Sequence, residues 1–380
     1  MLRSTINLGM KIIITGSHFT PAQAVIKELL SRDNFEVVYI GRNRTMEGDP
    51  TPSVESGVIP KLGIKFINLN TGRWQRHFTR FSILSILKIP WGFLEAFLIL
   101  LREKPDLVVS FGGYIGVPVV IAAWLLSIPI IVHEQTLVSG IANTVSSWFA
   151  TKIAVSFDNP YDFPRNKILV TGNPLRAEIL TSTTKPSIRI ANFFEQAKRH
   201  NTPVLFVTGG NQGSHAINSS IFEKLASLTK DFFVIHQTGD SKYHDFSIAE
   251  NLAKDNDRYL VSRFFEAMDM GYILKHASLG ISRAGINTLL EIAWVGLPTL
   301  IIPLPSANKD EQKVNARFFE SKGAGEVLEE KDLSGKSLNE KIIEMKNNLP
   351  MLAEKASSAK SVVLENAEKR LIQEIYILVS

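Results

Sequence analysis

Short apolar runs alternate with longer amphipathic stretches along most of the chain. Lys11 to Thr15, Glu36 to Ile40, Lys65 to Leu69, Leu107 to Phe111 and Ile128 to His133 read as buried strands. Residues 21 to 31, 91 to 103 and 118 to 126 read as helices between them. The same grammar restarts at Val204 to Thr208 and continues through strands at 232 to 236, 259 to 261, 279 to 282 and 299 to 302, with a helix opening near Ser214 and another at Thr288. Strands that alternate with helices predict parallel, doubly wound sheets. Each half begins strand, glycine turn, helix, so two Rossmann-like domains facing a central cleft are expected. The polar stretch 181 to 203 reads as the approach to the second domain. The last segment, about 351 to 380, reads as a helix. The expected division is 1–172, with the helix at about 360–380 packing back on it, and 173–359.

Composition narrows the class. At 380 residues, 45% hydrophobic and 21% charged, the chain is globular and long enough for two or three domains. It has no cysteine, which excludes disulfides, thiolate metal ligation and a cysteine nucleophile. The net charge of +5 is concentrated: residues 61 to 104 carry eight basic and two acidic side chains. Within residues 72–101, Trp74, Phe78, Phe81, Trp91, Phe93 and Phe97 interleave with Arg73, Arg76, Arg80 and Lys88. Cations and aromatics around an apolar helix describe a face for an anionic membrane surface, with a dimer contact or core packing as alternatives. No basic helix or RNA-binding aromatic motif points to nucleic acid. No export signal is visible, and Pro118 and Pro129 argue against a span at 115 to 132.

The turns carry the chemistry. Thr15-Gly16-Ser17-His18 follows the first strand, and Thr20-x-x-Gln23 with Pro21 predicts a capped helix start. His18 would then sit at the positive end of that helix. There it is either a neutral base or a loop histidine with a satisfied hydrogen bond. Gly209-Gly210-Asn211-Gln212-Gly213-Ser214 is either a phosphate-binding turn or a tight corner. Arg283 to Glu291 repeats the pattern, with Thr288-x-x-Glu291 either a capping box or a carboxylate placed for ribose hydroxyls. His133-Glu134-Gln135-Thr136 ends a buried strand, with Asn143 within reach, and lacks the second histidine of a zinc motif.

Together with Gly112-Gly113-Tyr114, Gly172-Asn173-Pro174-Leu175-Arg176 and Asp310-Glu311-Gln312, these motifs resemble the MurG family of N-acetylglucosaminyltransferases, from about residue 11 to 325. The resemblance implies a GT-B fold and inverting transfer of N-acetylglucosamine from UDP-N-acetylglucosamine to the muramoyl C4 hydroxyl of lipid I, without cofactor or metal. It implies a peripheral position on the cytoplasmic face of the inner membrane and a polyprenyl-diphosphate lipid acceptor. His18 would be the base, with Glu134, Tyr114 and Asn143 in support. Substrate contacts would come from Thr15, Gly16, Ser17, Thr136, Arg176, Asn211, Gln212, Gly213, Phe265 (uracil), Arg283, Ile286, Asn287, Thr288, Leu289, Leu290, Glu291 (ribose) and Gln312 (sugar). The chain departs from the family pattern at Ile13-Ile14, Ser17, Thr136 and Asn211. A GT-B transferase with another lipid acceptor, such as a diacylglycerol, and a non-catalytic membrane-recruiting partner are the alternatives.

Overall fold

The computed structural model describes residues 9–32, 34–44, 53–72, 82–181, 185–210, 212–240, 242–305 and 310–379, with side chains from 88 onward in the helix that begins at 82. Two units are distinct: 1–174 with 364–380, and 175–363.

The first unit runs β1 (Met10–Thr15), α1 (Phe19–Leu30), β2 (Phe35–Gly41), α2 (Val54–Val58), β3 (Lys65–Asn68), α3 (Ser82–Glu103), β4 (Leu107–Ser110), α4 (Gly116–Leu125), β5 (Ile130–Glu134), α5 (Ile141–Phe149), β6 (Lys152–Val155) and β7 (Ile168–Val170). Its seven strands are parallel in the order β3-β2-β1-β4-β5-β6-β7. Alternation sorts the strand residues between two layers. Ile13, Val38, Val108 and Val132 pack on one face with Ala96, Leu100, Val119 and Ala123. Ile12, Ile14, Val37 and Val109 pack on the other with Val25 and Leu29.

The second unit continues α6 (Ala177–Leu180), α7 (Ile188–Arg199), β8 (Val204–Thr208), α8 (His215–Asp231), β9 (Phe233–Gln237), α9 (Asp245–Ala253), β10 (Tyr259–Ser262), α10 (Ala267–His276), β11 (Leu279–Ser282), α11 (Ile286–Val295), β12 (Thr299–Ile301), α12 (Glu311–Ser321), β13 (Gly325–Val327), α13 (Gly335–Asn347) and α14 (Leu349–Ser358). Its six parallel strands run β10-β9-β8-β11-β12-β13 around one core. A last helix, α15 (Ala367–Val379), returns to the first unit. There Leu371, Ile372 and Ile375 join the core against α1, and Lys152 pairs with Glu374 at 2.5 Å.

Several boundaries differ from expectation, each for a local reason. The predicted single terminal helix is broken between α14 and α15 by a 3-10 turn over Ala359–Val362 and by Asn366 at φ +58°. The stretch expected to approach the second domain contains α7, whose Ile190, Phe193 and Ala197 are buried at helical spacing. Helix α3 starts before Pro90 and carries the proline inside it, although a proline there removes one intrahelical hydrogen bond.

Candidate functional site

In an open doubly wound sheet, ligands bind beyond the carboxyl ends of the strands, where the strand order reverses. In the first unit that point lies between β1 and β4, and in the second between β8 and β11. The turns that leave these four strands carry most of the predicted site.

In the first unit, β1 and β4 end in register, Thr15 opposite Ser110. The chain crosses from one turn to the other through Phe111 N–H to Thr15 O (2.7 Å) and Ser17 N–H to Gly112 O (2.9 Å). Gly113 has φ +78°, and a Cβ there would lie 2.1 Å from Ser17 Oγ, so only glycine lets the turns close. The hydroxyls of Thr15, Ser17 and Ser110 are buried with no hydrogen-bond partner among the described residues.

His18 is the N-cap of α1, and no side chain caps the helix. The expected Thr20–Gln23 capping box does not form because the helix begins at Phe19. His18 therefore stands directly at the positive helix end. Burial, and then the charge of Arg42, lower its pKa to about 4, so the ring is neutral near pH 7.

At the end of β5 the Glu134 carboxylate is held from several sides. Glu134 is 2% exposed. It accepts from Thr136 N–H (3.0 Å), Asn143 Nδ2 (3.0 Å) and Gly140 N–H (3.3 Å), and Thr136 Oγ1 lies 2.8 Å away. Burial raises its pKa against these bonds. Asn143 also donates to His133 O (3.1 Å), while its Oδ1 is buried without a partner beside Gly112. His133 is neutral, its pKa near 4 through burial, with Nε2 3.2 Å from Gly172 O. The Glu134–Thr136–Asn143 group thus fixes the loop shape behind the turns.

In the second unit, Gly210 and Gly213 take positive φ in the turn after β8, and Ser214 caps α8 by accepting from Ile217 N–H. A Cβ on Gly213 would meet Thr238 O at 2.0 Å, so this turn rests directly on the loop after β9. Asn211 lies outside the described residues. The helix after β11 begins at Ile286 with Gly285 as its N-cap, two residues earlier than expected. Thr288 is thus in the first turn and Glu291 in the second, so Glu291 is not the capping carboxylate. Instead Glu291, 1% exposed, takes a two-point contact from Arg176, Nε at 2.6 Å and Nη2 at 2.5 Å. Burial works against the Arg176 charge, but the carboxylate outweighs it and the guanidinium pKa is raised.

The remaining predicted positions divide by what they already bind. Leu289 and Leu290 are buried, and Leu289 N–H donates to Gly285 O at 3.0 Å, while Ile286, Asn287 and Thr288 form the first turn of the helix. Arg283 pairs with Glu330 and donates to Ile302 O (3.2 Å). Gln312 Oε1 accepts from Leu304 N–H (3.0 Å), and Phe265 N–H donates to Gln237 Oε1 (3.2 Å). Sequence reasoning missed Arg42, which follows β2 beside the switch point. Its signal was only a lone cation at a strand end. No cluster of metal-ligating side chains occurs among the described residues.

Two parallel sheets, each with glycine turns at its switch point, define a GT-B fold. The glycosyltransferase family 28 N-terminal domain matches residues 12–155, and the family 28 C-terminal domain matches residues 204–375. The chain is 32% identical over 369 residues to the UDP-N-acetylglucosamine–N-acetylmuramyl-(pentapeptide) pyrophosphoryl-undecaprenol N-acetylglucosamine transferase of Clostridium botulinum (strain Langeland), covering 96% of this chain and 98% of the relative. The protein of the same name from Clostridium tetani is 32% identical over 87% and 88% of the two chains. Among solved structures, Acinetobacter baumannii MurG is similar at TM-score 0.68 and 25% identity, over 97% of this chain and 99% of that one. A glycotransferase of kitacinnamycin, at TM-score 0.70 and 14% identity over 98% and 99%, shares the fold. The chain belongs to the MurG family of glycosyltransferases.

Proposed function

We propose that the protein transfers N-acetylglucosamine from UDP-N-acetylglucosamine to lipid I, giving lipid II, with inversion at the sugar. The observation that carries the mechanism is His18: a neutral imidazole at a helix N-terminus, beside the switch point of a doubly wound sheet. Inverting transfer needs one base on the attacking hydroxyl and stabilisation of charge on the departing UDP. His18 takes the proton from the C4 hydroxyl of the acceptor. Thr15, Gly16, Ser17 and Tyr114 bind the acceptor, while Glu134, Thr136 and Asn143 hold the surrounding loops.

The second unit takes the donor. The first-turn amides of α8 and α11 suit a diphosphate, as does the turn that includes Asn211, Gln212 and Gly213. Arg176, held by Glu291, adds a fixed positive charge. Glu291 oxygens can accept ribose hydroxyls while retaining Arg176, because each carboxylate oxygen accepts more than one hydrogen bond. In this reading Phe265 serves the uracil edge and Gln312 the sugar hydroxyls.

The membrane surface is the third part of this assignment. Helices α3, α4 and α5 pack side by side. They expose Trp91, Leu94, Leu98, Leu101, Trp124, Ile141 and Trp148, with Trp148 71% and Trp91 63% accessible. Tryptophans among exposed leucines suit a bilayer interface. The arginines expected to flank them, Arg73, Arg76 and Arg80, lie outside the described residues, as do Trp74, Phe78 and Phe81. Among the described residues no helix is long and apolar enough to cross a membrane.

Incubation with UDP-N-acetylglucosamine and a lipid I analogue should release UDP and extend the acceptor by one sugar. Donor binding without turnover on any muramoyl acceptor would defeat the proposal. Turnover on diacylglycerol instead would move it to another acceptor class.

A further inference from the structure

Arg42 directly follows β2, whose Ile40 pairs with Thr15 on β1, so its cation sits at the same sheet end as His18 and the Gly112–Gly113 turn. The guanidinium carbon lies 5.7 Å from the centroid of the Tyr114 ring, and Tyr114 is the residue that leaves that turn. On its other side, Nε is 3.5 Å from Glu55 Oε1, a loose ion pair, and Nε is buried with no hydrogen-bond partner among the described residues. Glu55 itself is 5% exposed on α2, the helix capped by Ser53. A guanidinium oriented by a ring face and a loosely paired carboxylate keeps hydrogen-bonding capacity for a ligand. The nearby helix N-terminus selects for an anion.

We propose that Arg42 is an acceptor-binding residue, its guanidinium contacting a phosphate of the polyprenyl diphosphate while Glu55 and Tyr114 hold it in position. This rests on the acceptor assignment made for the first unit. It also accounts for a problem that assignment creates. A diphosphate near His18 would by its charge favour the imidazolium and disable the base. Arg42 opposes that charge, and its effect on His18 is already to lower the pKa. The other charged or titratable groups here are Glu55, Tyr114, Tyr39, which is buried and donates its hydroxyl to Gly16 O at 3.0 Å, and His133, which is buried and neutral.

The test compares full-length wild type, Arg42→Gln and Arg42→Lys. Calorimetric binding of farnesyl diphosphate should weaken about tenfold or more in Arg42→Gln, as expected for a lost charge-assisted hydrogen bond, with Arg42→Lys intermediate. Farnesol should be unaffected. In turnover, the acceptor KM should rise by a similar factor with the donor KM unchanged. The acid limb of the pH profile should move to higher pH as His18 loses its cationic neighbour. Failure of wild type to bind farnesyl diphosphate, or equal binding by Arg42→Gln, overturns the inference. Because that readout needs no turnover, a wild type that binds the diphosphate but transfers no sugar would fail the function and leave this contact standing. Capping the peptide carboxylates of the acceptor should leave the Arg42→Gln penalty intact; abolition of the penalty would assign Arg42 to the peptide and overturn the diphosphate contact.

Discussion

The two units place equivalent residue pairs at their switch points, Thr15 opposite Ser110 in the first and Thr208 opposite Ser282 in the second. In the second unit both hydroxyls are satisfied. Thr208 Oγ1 accepts from Gly210 N–H (3.1 Å) and Gln237 Nε2 (3.2 Å), and Ser282 Oγ donates to Arg283 O (3.0 Å). In the first unit both are buried without a partner. The charges differ likewise. The second unit clamps Arg176 in a two-point pair with Glu291, whereas the first holds Arg42 loosely and keeps His18 neutral. At one sheet end both switch-point hydroxyls are engaged and the arginine is fixed. The other carries unspent polar capacity and the neutral imidazole proposed as the base, at a cost in stability.

The largest effect should follow removal of that base. His18→Ala should lower kcat by about 10²- to 10⁴-fold while leaving UDP-N-acetylglucosamine binding unchanged, measured by UDP release and by calorimetry. The helix should survive, since His18 makes no side-chain cap hydrogen bond. Parallel loss of donor affinity would erase the division of labour between the units.

Next comes the clamp. Glu291→Ala leaves the half-buried Arg176 charge with only Glu178 acting on it, which should cost about 2–3 kcal/mol, read from denaturant unfolding. Replacing both partners, as Arg176→Met with Glu291→Leu, should restore most of the stability and still fail to bind the donor. Donor binding by the stable double variant would reduce the pair to packing.

Acid should then weaken both units. His133 and His236 are buried and neutral, with pKa values lowered by burial to about 4 and about 3. Unfolding raises each toward the ordinary value near 6.5. The unfolded chain therefore binds protons first, and stability falls as pH drops from 6.5 toward 4. Each histidine contributes on the order of 3 kcal/mol across that window. Thermal unfolding followed at pH 7, 5.5 and 4.5 should show this decline, and His133→Gln should lessen it for the first unit only, where His18 supplies the remainder.

Much of this contrast was legible in the sequence because backbone chemistry leaves local signs. Apolar runs gave the strands Val204–Thr208 and Leu279–Ser282 at their observed limits. Glycine turns after β1, β4, β8 and β11 marked both switch points. Helix starts were misjudged by two residues at Phe19 and Ile286, because Thr20 and Thr288 resemble caps while His18 and Gly285 hold those positions. The Arg176–Glu291 clamp spans 115 residues and the Arg42–Tyr114 contact joins two separate turns. Such pairings arise from topology, and no local spacing announces them.

The smallest expected effect is the most discriminating. Ser17 Oγ and Ser110 Oγ are buried under the Gly112–Gly113 turn, and Ser110 faces Gly116 at the start of α4. Removing a polar atom that already lacks a partner relieves its desolvation cost, so Ser17→Ala and Ser110→Ala should leave stability unchanged or raise it by up to about 1 kcal/mol. Thr208→Val in the second unit should instead destabilise, since it strands Gly210 N–H and Gln237. If the first-unit hydroxyls are kept for the acceptor, the serine variants should also raise its KM a few-fold. A fall in the melting temperature of Ser17→Ala matching that of Thr208→Val would mean the two sheet ends are built alike.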